Sequence, residues 1–415
     1  MIMDYPIVFI PGLFGSMGDD VINGTGDFSF GFAEKIYRPF IGILNSMGYE
    51  ENKNLYISYY DWKKPVLEIV ERYLIPTIEE AKRKSGMDKV ILIGHSLGGL
   101  VGRAYMCYIY PLTIDKLIMI GTPNLGSVNA YYFWSGGKLP YSKVEDNILY
   151  NAVKFGFILY YSLFHRVNYI EGLRKIFPVV QDLLPSYKYG DYLLFKDKEV
   201  MKTVSVEDMI VSNPFLNGLE NIIMDKNKTF IVSGTGVATN NEFIVNINKR
   251  KKVLWSDGKP IDTIKTSYGD GTVTTTSTLG YLGGNHIVLE GNHTNILYKS
   301  KNYLEDILGK VSSMEEITEE QVEKVYFIIA DNCNAINIQT SESNQVSSKS
   351  INIVDDKIQA IKLSPNRFMI MIAGDKDLSF KINIDSYIKS KAEIHMFIVD
   401  NNGINMERDY LKYIM

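Results

Sequence analysis

The segment Gly94-His95-Ser96-Leu97-Gly98-Gly99 places a serine between small residues. It follows an apolar run at 90–93 that is typical of a buried strand, and it precedes a helical stretch at 100–108. A strand, a sharp turn and a helix are the context of a nucleophile elbow, in which the serine Oγ projects above the end of a sheet. We therefore predict that Ser96 is a nucleophile. The alternative is a glycine-rich turn in which a buried serine only caps the helix.

A serine hydroxyl is a weak nucleophile unless a base removes its proton, so the five histidines come next. His95 adjoins the serine and is expected to point away from it, while His165 and His395 lie outside the late strands of the first domain. His286 begins the apolar run at 287–289, whereas His293 occupies the loop after that run. Because a loop lets the imidazole reach over the serine, we favour His293 over His286 as the base. The alternative for His293 is a loop histidine that only helps to cap a helix.

The acid and the oxyanion donors are expected on glycine-rich turns. Asp270 lies between two glycines, where backbone N–H groups can keep a carboxylate ionised, although a glycine-flanked aspartate is often an ordinary turn residue. The developing negative charge of a tetrahedral intermediate needs N–H donors, one of which follows the nucleophile at Leu97. The other is expected in the loop at 11–16, with Leu13 preferred and Phe14 second.

Short apolar runs that alternate with amphipathic helical stretches must position these residues. The predicted helices are at roughly 31–47, 66–84 and 97–109, and the predicted strands are at 7–10, 55–59, 90–93, 117–120, 229–232 and 287–289. Continuous apolar runs fit strands that are covered on both faces, so an open α/β sheet is expected. The strand signal fades at about 123–228, which predicts a helical cap inserted into a catalytic domain at 1–313. Alternating runs at 321–415 predict an all-β, sandwich-like accessory domain.

Composition excludes several classes of protein. Apolar residues make up 46% of the 415, so packed cores are expected, and a net charge of −4 argues against general nucleic-acid binding. The two cysteines are far apart, no metal-ligand spacing is visible, and we predict neither a metal nor another cofactor. No signal peptide or membrane span is evident, so a cytoplasmic location is expected.

The motifs together resemble α/β-hydrolase lipases, in particular the family of lecithin:cholesterol acyltransferase and lysosomal phospholipase A2. The resemblance covers roughly 5–305 and rests on the elbow together with Ile10-Pro11-Gly12-Leu13-Phe14-Gly15-Ser16, Tyr60-Asp61-Trp62-Lys63, Gly121-Thr122-Pro123, Gly234-Thr235-Gly236-Val237-Ala238-Thr239 and Gly269-Asp270-Gly271-Thr272-Val273. The chain departs from the family at Lys63, where the family has arginine, and at Ala238, where it has proline. The cysteines that clip the lid of the mammalian relatives are missing.

The resemblance implies a triad of Ser96, Asp270 and His293, an acyl-enzyme intermediate and an acyl-lipid or ester substrate. Phe14 and Trp62 lie in matching segments and are expected to contact that substrate. Hydrolysis and acyl transfer both remain open, as do an amidase or peptidase with the same triad and a non-catalytic protein that binds through its β-domain. The oligomeric state is also open.

The cap offers a separate indication of an apolar substrate. Leu149, Val153, Phe157, Tyr160 and Phe164 form one helical stripe, and the opposite side of the same helix is apolar too. A helix that is apolar all round is either buried or in contact with lipid. Transient contact of this cap with a lipid surface is therefore expected, with simple burial under the rest of the cap as the alternative.

Overall fold

The computed structural model describes residues 5–20, 24–109, 111–137, 170–249, 253–315, 317, 323–340, 345–348, 353–354, 358–364, 366–374, 380–385, 392–400 and 403–407. Their contacts divide the chain into two compact units. The first contains Met1–Leu13, Ile36–Tyr141 and Val167–Ile317, and the second contains Phe14–Lys35 and Thr318–Met415. Residues 14–35, which lie inside the predicted catalytic domain, thus cluster with the C-terminal part of the chain.

A parallel sheet forms the centre of the first unit. Its strand order is β12-β9-β6-β5-β1-β4, and every neighbouring pair is parallel. The strands described before residue 318 are β1 (Ile7–Ile10), β2 (Met17–Asp20), β3 (Thr25–Ser29), β4 (Leu55–Ile57), β5 (Val90–His95), β6 (Ile114–Ile120), β7 (Leu193–Asp197), β8 (Val200–Val204), β9 (Thr229–Thr235), β10 (Thr239–Asn246), β11 (Lys259–Thr266) and β12 (Asn285–Glu290). Strands β1 and β5 are completely buried, as expected for strands covered on both faces. The predicted α/β sheet is therefore confirmed.

Helices connect these parallel strands, and the three predicted crossovers are found. A π-turn at Val70–Leu74 joins two of the helices. The described helices are α1 (Glu34–Ser46), α2 (Val66–Ile69), α3 (Ile75–Ser85), α4 (Leu97–Tyr108), α5 (Val128–Gly136), α6 (Ile170–Ile176), α7 (Val179–Asp182), α8 (Pro214–Leu219), α9 (Thr275–Leu279), α10 (Ile296–Lys299) and α11 (Lys301–Leu308). Within the described residues, none of the helices is both long and apolar enough to cross a membrane.

A second sheet, which the sequence analysis missed, combines β7 and β8 from the predicted helical cap with β10 and β11, which lie after residue 228. Its order is β11-β10-β7-β8, and Phe243 of β10 packs with Tyr131 and Trp255 in an aromatic cluster. Strand β8 has mostly exposed residues, so it lacks the apolar run by which a strand is recognised. The apolar stripe at 149–164 lies outside the described residues.

The second unit is a β-sandwich, as predicted. A six-stranded sheet of order β16-β17-β18-β13-β20-β21 and a three-stranded sheet of order β15-β14-β19 share one buried core, to which Ile328 and Phe380 contribute from opposite sheets. The strands of the two sheets are β13 (Lys324–Asp331), β14 (Ala335–Thr340), β15 (Gln345–Ser348), β16 (Ile353–Val354), β17 (Ile358–Ser364), β18 (Arg367–Gly374), β19 (Phe380–Asp385), β20 (Glu393–Asp400) and β21 (Gly403–Glu407). The hairpin formed by β2 and β3 also lies in this unit and contacts β17.

A carboxylate from the cap satisfies the start of a crossover helix. Asp182, at the end of α7, accepts a 2.7 Å hydrogen bond at Oδ2 from the N–H of Val66, the first residue of α2. The first N–H groups of a helix have no partner within the helix, so this bond satisfies a group that would otherwise be unpaired. Burial raises the pKa of Asp182 to about 6, and the bond from Val66 lowers it by less.

This raised pKa predicts a pH-dependent effect of Asp182→Asn. A raised carboxyl pKa stabilises the folded state below the unfolded value of 3.8, and this contribution is lost as the pH rises through about 6. Asparagine keeps an acceptor oxygen for Val66 and has no charge to bury. At pH 8 we expect the variant to melt roughly 2–4 °C higher than the wild type, with the gap closing near pH 4. Melting curves at both values test this, and a gap that does not change with pH would contradict it.

Candidate active site

Ser96 occupies a strained turn between β5 and α4. Its φ of 53° and ψ of −122° lie outside the regions that L-residues ordinarily adopt. The N–H of Ser96 donates a 2.8 Å hydrogen bond to the carbonyl of Ile120, and this bond ties the turn to the end of β6. The turn places Ser96 at the carboxyl edge of the parallel sheet, where the loops after neighbouring strands also lie.

Glycines allow this turn because the backbones around it approach too closely for a side chain. A Cβ added at Gly94 would lie 2.5 Å from the backbone of Gly98, and one added at Gly98 would lie 2.1 Å from the carbonyl oxygen of Ile10. At Gly99 the added atom would lie 1.8 Å from Oγ1 of Thr122. The small residues seen in the sequence are therefore required by the packing of α4 against β1, β5 and the loop after β6.

The structure brings His293 to the serine. Its Nε2 lies 2.9 Å from Ser96 Oγ, and its side chain is completely buried. Asn292 supplies the capping of this loop, because its Oδ1 accepts hydrogen bonds from the N–H groups of Thr294 and Asn295. The side chain that caps this loop is thus that of Asn292. His286 is exposed and has its Nδ1 3.4 Å from the carbonyl of Gly284.

Asp270 completes a hydrogen-bonded chain. Its Oδ2 lies 2.7 Å from His293 Nδ1, and its Oδ1 accepts bonds of 2.9 and 2.7 Å from the N–H groups of Thr272 and Val273. A Cβ added at Gly234 would lie 2.5 Å from Cβ of Asp270, so the glycine-rich segment after β9 makes room for the acid.

The chemistry of the Asp270–His293 pair indicates the tautomer of the ring. A carboxylate can only accept hydrogen bonds, so Nδ1 of His293 carries the hydrogen in the bond to Asp270. Nε2 then directs its lone pair at Ser96 Oγ. This arrangement can remove the proton of the serine hydroxyl during attack on a carbonyl and return it to a leaving group.

The loop after β1 lies against Ser96. A Cβ added at Gly12 would lie 2.9 Å from Cβ of Ser96, so the backbone of this loop runs directly beside the serine. Leu97 is the buried first residue of α4, and Leu13 follows Gly12 in the loop and is partly buried. Phe14 is 7% exposed, has a φ of 62° and belongs to the second unit. The assignment of Leu13 and Leu97 as oxyanion donors remains a prediction.

Trp62 is buried among aromatic side chains. Its ring stacks on Phe177 at 5.6 Å between centroids, and Phe177 in turn meets the edge of Phe133. The flanking Asp61 and Lys63 form a buried ion pair of 3.3 Å. Trp62 therefore packs between the sheet domain and the cap, and its contact with substrate remains a prediction.

Two residues at this site were missed as functional candidates. Tyr37 of α1 and His95 of β5 are hydrogen-bonded to each other at 2.9 Å, next to Gly12 and His293. Tyr37 gives no signal in the sequence, because an apolar helix face commonly contains a tyrosine. The sequence predicts that His95 points away from the serine, and in the structure its ring nitrogens bond to the Tyr37 hydroxyl and the His293 carbonyl.

The parallel sheet, the strained serine turn and the serine–histidine–aspartate chain define a protein of the α/β-hydrolase class. Residues 31–203 match the family model described as lecithin:cholesterol acyltransferase. The family resemblance predicted from the motifs is therefore confirmed for this part of the chain.

Matches to individual proteins are either short or low in sequence identity. A segment of 53 residues is 43% identical to 1-acylglycerol-3-phosphate O-acyltransferase ABHD5 of Sus scrofa, and the match spans 13% of this chain and 15% of the relative. Phospholipase PlaB of Legionella pneumophila aligns over 97% of this chain and 91% of its own, with 12% identity and a TM-score of 0.37. The propeptide form of Bacillus licheniformis lipase BlEst2 covers 96% of this chain and 75% of its own, with 15% identity and a TM-score of 0.35.

The packing of the turn predicts opposite effects for two glycine substitutions. In Gly98→Ala the new methyl group would overlap the carbonyl oxygen of Ile10, and backbone atoms cannot move aside cheaply. We expect a loss of about 3 kcal/mol or more in the free energy of unfolding. In Gly42→Ala, within α1, the methyl group would meet Met314 at an ordinary 3.5 Å, so a gain of about 0.5–1 kcal/mol is expected. Denaturant unfolding of both variants tests this, and equal stabilities would refute the packing argument.

Proposed function

We propose that this protein is a serine hydrolase or O-acyltransferase that takes an acyl group from a lipid ester onto Ser96. The observation that carries the proposal is the 2.9 Å approach of His293 Nε2 to Ser96 Oγ, with Asp270 at 2.7 Å from the other imidazole nitrogen. A strained serine, a buried base and a buried acid in one chain are the requirements of nucleophilic acyl transfer.

In the proposed reaction, Ser96 Oγ attacks the ester carbonyl while its proton passes to His293 Nε2. Asp270 stabilises the imidazolium through the proton on Nδ1, and the N–H groups of Leu13 and Leu97 receive the negative charge on the carbonyl oxygen. The C–O bond to the alcohol breaks, and His293 returns the proton to that alcohol. Water or a second alcohol then attacks the acyl-serine by the same route in reverse.

An acyl lipid is the proposed substrate class because of the relatives. The match to the lecithin:cholesterol acyltransferase family and the short similarity to a 1-acylglycerol-3-phosphate O-acyltransferase both favour a lipid ester. The cap stripe that is expected to touch lipid lies outside the described residues, so it adds no structural support. Phe14 and Trp62 are the proposed substrate contacts.

Removal of the nucleophile tests the proposal. Ser96→Ala should lower kcat on an activated acyl ester by on the order of 10⁵ to 10⁶, because the triad acts as a unit. It should also abolish labelling by a fluorophosphonate. Ser85→Ala is the matched control, since the Ser85 hydroxyl bonds to the carbonyls of Ala81 and Lys82 and accepts from the N–H of Met87, all at the end of α3. Activity of Ser96→Ala near that of the wild type would sink the proposal.

The products formed from different substrates distinguish hydrolysis, acyl transfer and amidase activity. The wild-type protein is incubated with a lipid extract, with and without an added primary alcohol, and the products are identified by mass spectrometry. Free fatty acid indicates hydrolysis, and a new ester of the alcohol indicates acyl transfer. Faster turnover of a matched amide than of the ester would instead favour the amidase reading, and no turnover or labelling at all would favour a non-catalytic binding protein.

The base and the acid have separate tests. His293→Ala should match the loss of Ser96→Ala, and Asp270→Asn should lose on the order of 10⁴ because the amide favours the wrong imidazole tautomer. His286→Ala is the control, because its exposed ring is bonded only weakly near Gly284. Rates on a soluble ester measure all three. An inactive His286→Ala beside an active His293→Ala would reverse the assignment of the base.

A further inference from the structure

A second chain of hydrogen bonds runs close to Ser96. The N–H of Gly12 donates to the Tyr37 hydroxyl at 2.8 Å, and that oxygen lies 2.9 Å from Nδ1 of His95. Nε2 of His95 lies 2.8 Å from the backbone carbonyl of His293. Three buried bonds thus connect the loop after β1 to the loop after β12.

The backbone groups at the two ends, the Gly12 N–H and the His293 carbonyl, determine which atom donates and which accepts in each hydrogen bond. The carbonyl of His293 can only accept, so Nε2 of His95 carries the hydrogen. In the neutral ring, Nδ1 is then an acceptor, and the Tyr37 hydroxyl donates to it. The same hydroxyl oxygen accepts from Gly12. A single neutral tautomer of His95 therefore satisfies all three bonds.

The surroundings keep this ring neutral. His95 and Tyr37 are 2% and 3% exposed, and the ring of His95 lies 4.9 Å from that of His293. Burial, followed by the proximity of His293, lowers the pKa of His95 to about 3, with a smaller opposing effect of its bond to the His293 carbonyl. Burial also raises the pKa of the Tyr37 hydroxyl. Neither group gains or loses a proton near neutral pH, so the chain is unsuited to proton transfer and suited to holding positions.

These hydrogen bonds begin and end on two loops whose distances from Ser96 must stay fixed for the proposed reaction. Gly12 backs directly onto the serine, and its neighbour Leu13 is the proposed oxyanion donor. His293 is the proposed base, and its own carbonyl receives the last bond. The backbone of Gly121 closes the other side of the imidazole, where an added Cβ would lie 3.3 Å from its Nδ1.

We propose that Tyr37 and His95 are positioning residues that hold the oxyanion loop and the loop of the catalytic base in one register around Ser96. This inference rests on the proposed function and adds a structural requirement to it. Loss of these hydrogen bonds should displace the oxyanion donors and the base by fractions of an ångström. Displacements of about 1 Å in such sites can lower the rate on the order of 10²-fold. Binding of the ground-state substrate should change little, because both side chains are buried.

Tyr37→Phe tests the proposal, since it removes one hydroxyl and leaves the ring. We expect kcat on a soluble ester to fall about 10- to 100-fold while KM stays within about threefold. The affinity for a trifluoromethyl ketone, which forms a tetrahedral adduct with the serine, should fall by the same factor as kcat/KM. His95→Gln should give a loss of the same kind, and the double variant should lose no more than about the larger single loss, because both act through one chain.

Tyr105→Phe is the matched control. Tyr105 is 1% exposed, its hydroxyl bonds to Thr113 Oγ1 at 2.9 Å, and it lies on the last turns of α4, away from the serine. The control should lose thermal stability to a similar extent and keep its kcat. Equal kcat values in Tyr37→Phe and the control would overturn the proposal. If Tyr37→Phe unfolds while the control stays folded, the proposal is also overturned. The hydrogen bonds of Tyr37 would then be needed for the stability of the fold and not for the geometry of the site.

The test of the positioning role can fail without the test of the proposed function failing, and the two results can be told apart. If the wild-type protein turns over no ester and reacts with no fluorophosphonate, the proposed function fails. If the wild type is active and Ser96→Ala is not, the proposed function stands. The behaviour of Tyr37→Phe relative to Tyr105→Phe then decides the positioning role alone.

Discussion

The close contact between backbones at the serine turn is the constraint on which the rest of the site depends. Ser96 adopts a positive φ, and the turn exists only because Gly94, Gly98 and Gly99 have no side chains to meet their neighbours. Strain of this kind persists only where the surroundings determine the conformation. Here β1, β5, α4 and the loop after β6 all contribute atoms to those contacts. The same contacts bring the carboxyl ends of the strands together. The loops after β1, β6 and β12 therefore meet at Ser96.

Two histidines share this small buried space, and their bonding partners give them different properties. His293 faces Asp270, whose carboxylate can stabilise a positive charge on the ring. His95 faces a tyrosine hydroxyl and a backbone carbonyl, and burial keeps its pKa far below the neutral range. A charge on one ring disfavours a charge on the other at this separation. The arrangement is consistent with the proposed roles, in which His293 transfers the proton and His95 is a neutral link between loops.

The elements around this centre differ in how clearly their sequences predict them. The central strands are continuous apolar runs, so their number and order along the chain are readable. Strand β8 and the hairpin of β2 and β3 have polar or exposed residues at most positions, so their pairing decides their conformation. Residues 14–35 cluster with the C-terminal sandwich, and no composition shift marks this in the chain.

The sequence by itself was enough to propose Ser96, His293 and Asp270 as a triad, because each lies in a local turn or loop whose residue types and chain order are distinctive, and the structure places the three within hydrogen-bond distance. The parallel sheet and the sandwich follow from the same kind of local pattern. Only the tertiary structure decided that Tyr37 joins the site. Tyr37 is 58 residues from His95, and His95 is 198 residues from the carbonyl it contacts. A tyrosine on a helix carries no mark of such a partner, since hydrogen bonds between distant segments exist only after the sheet has assembled.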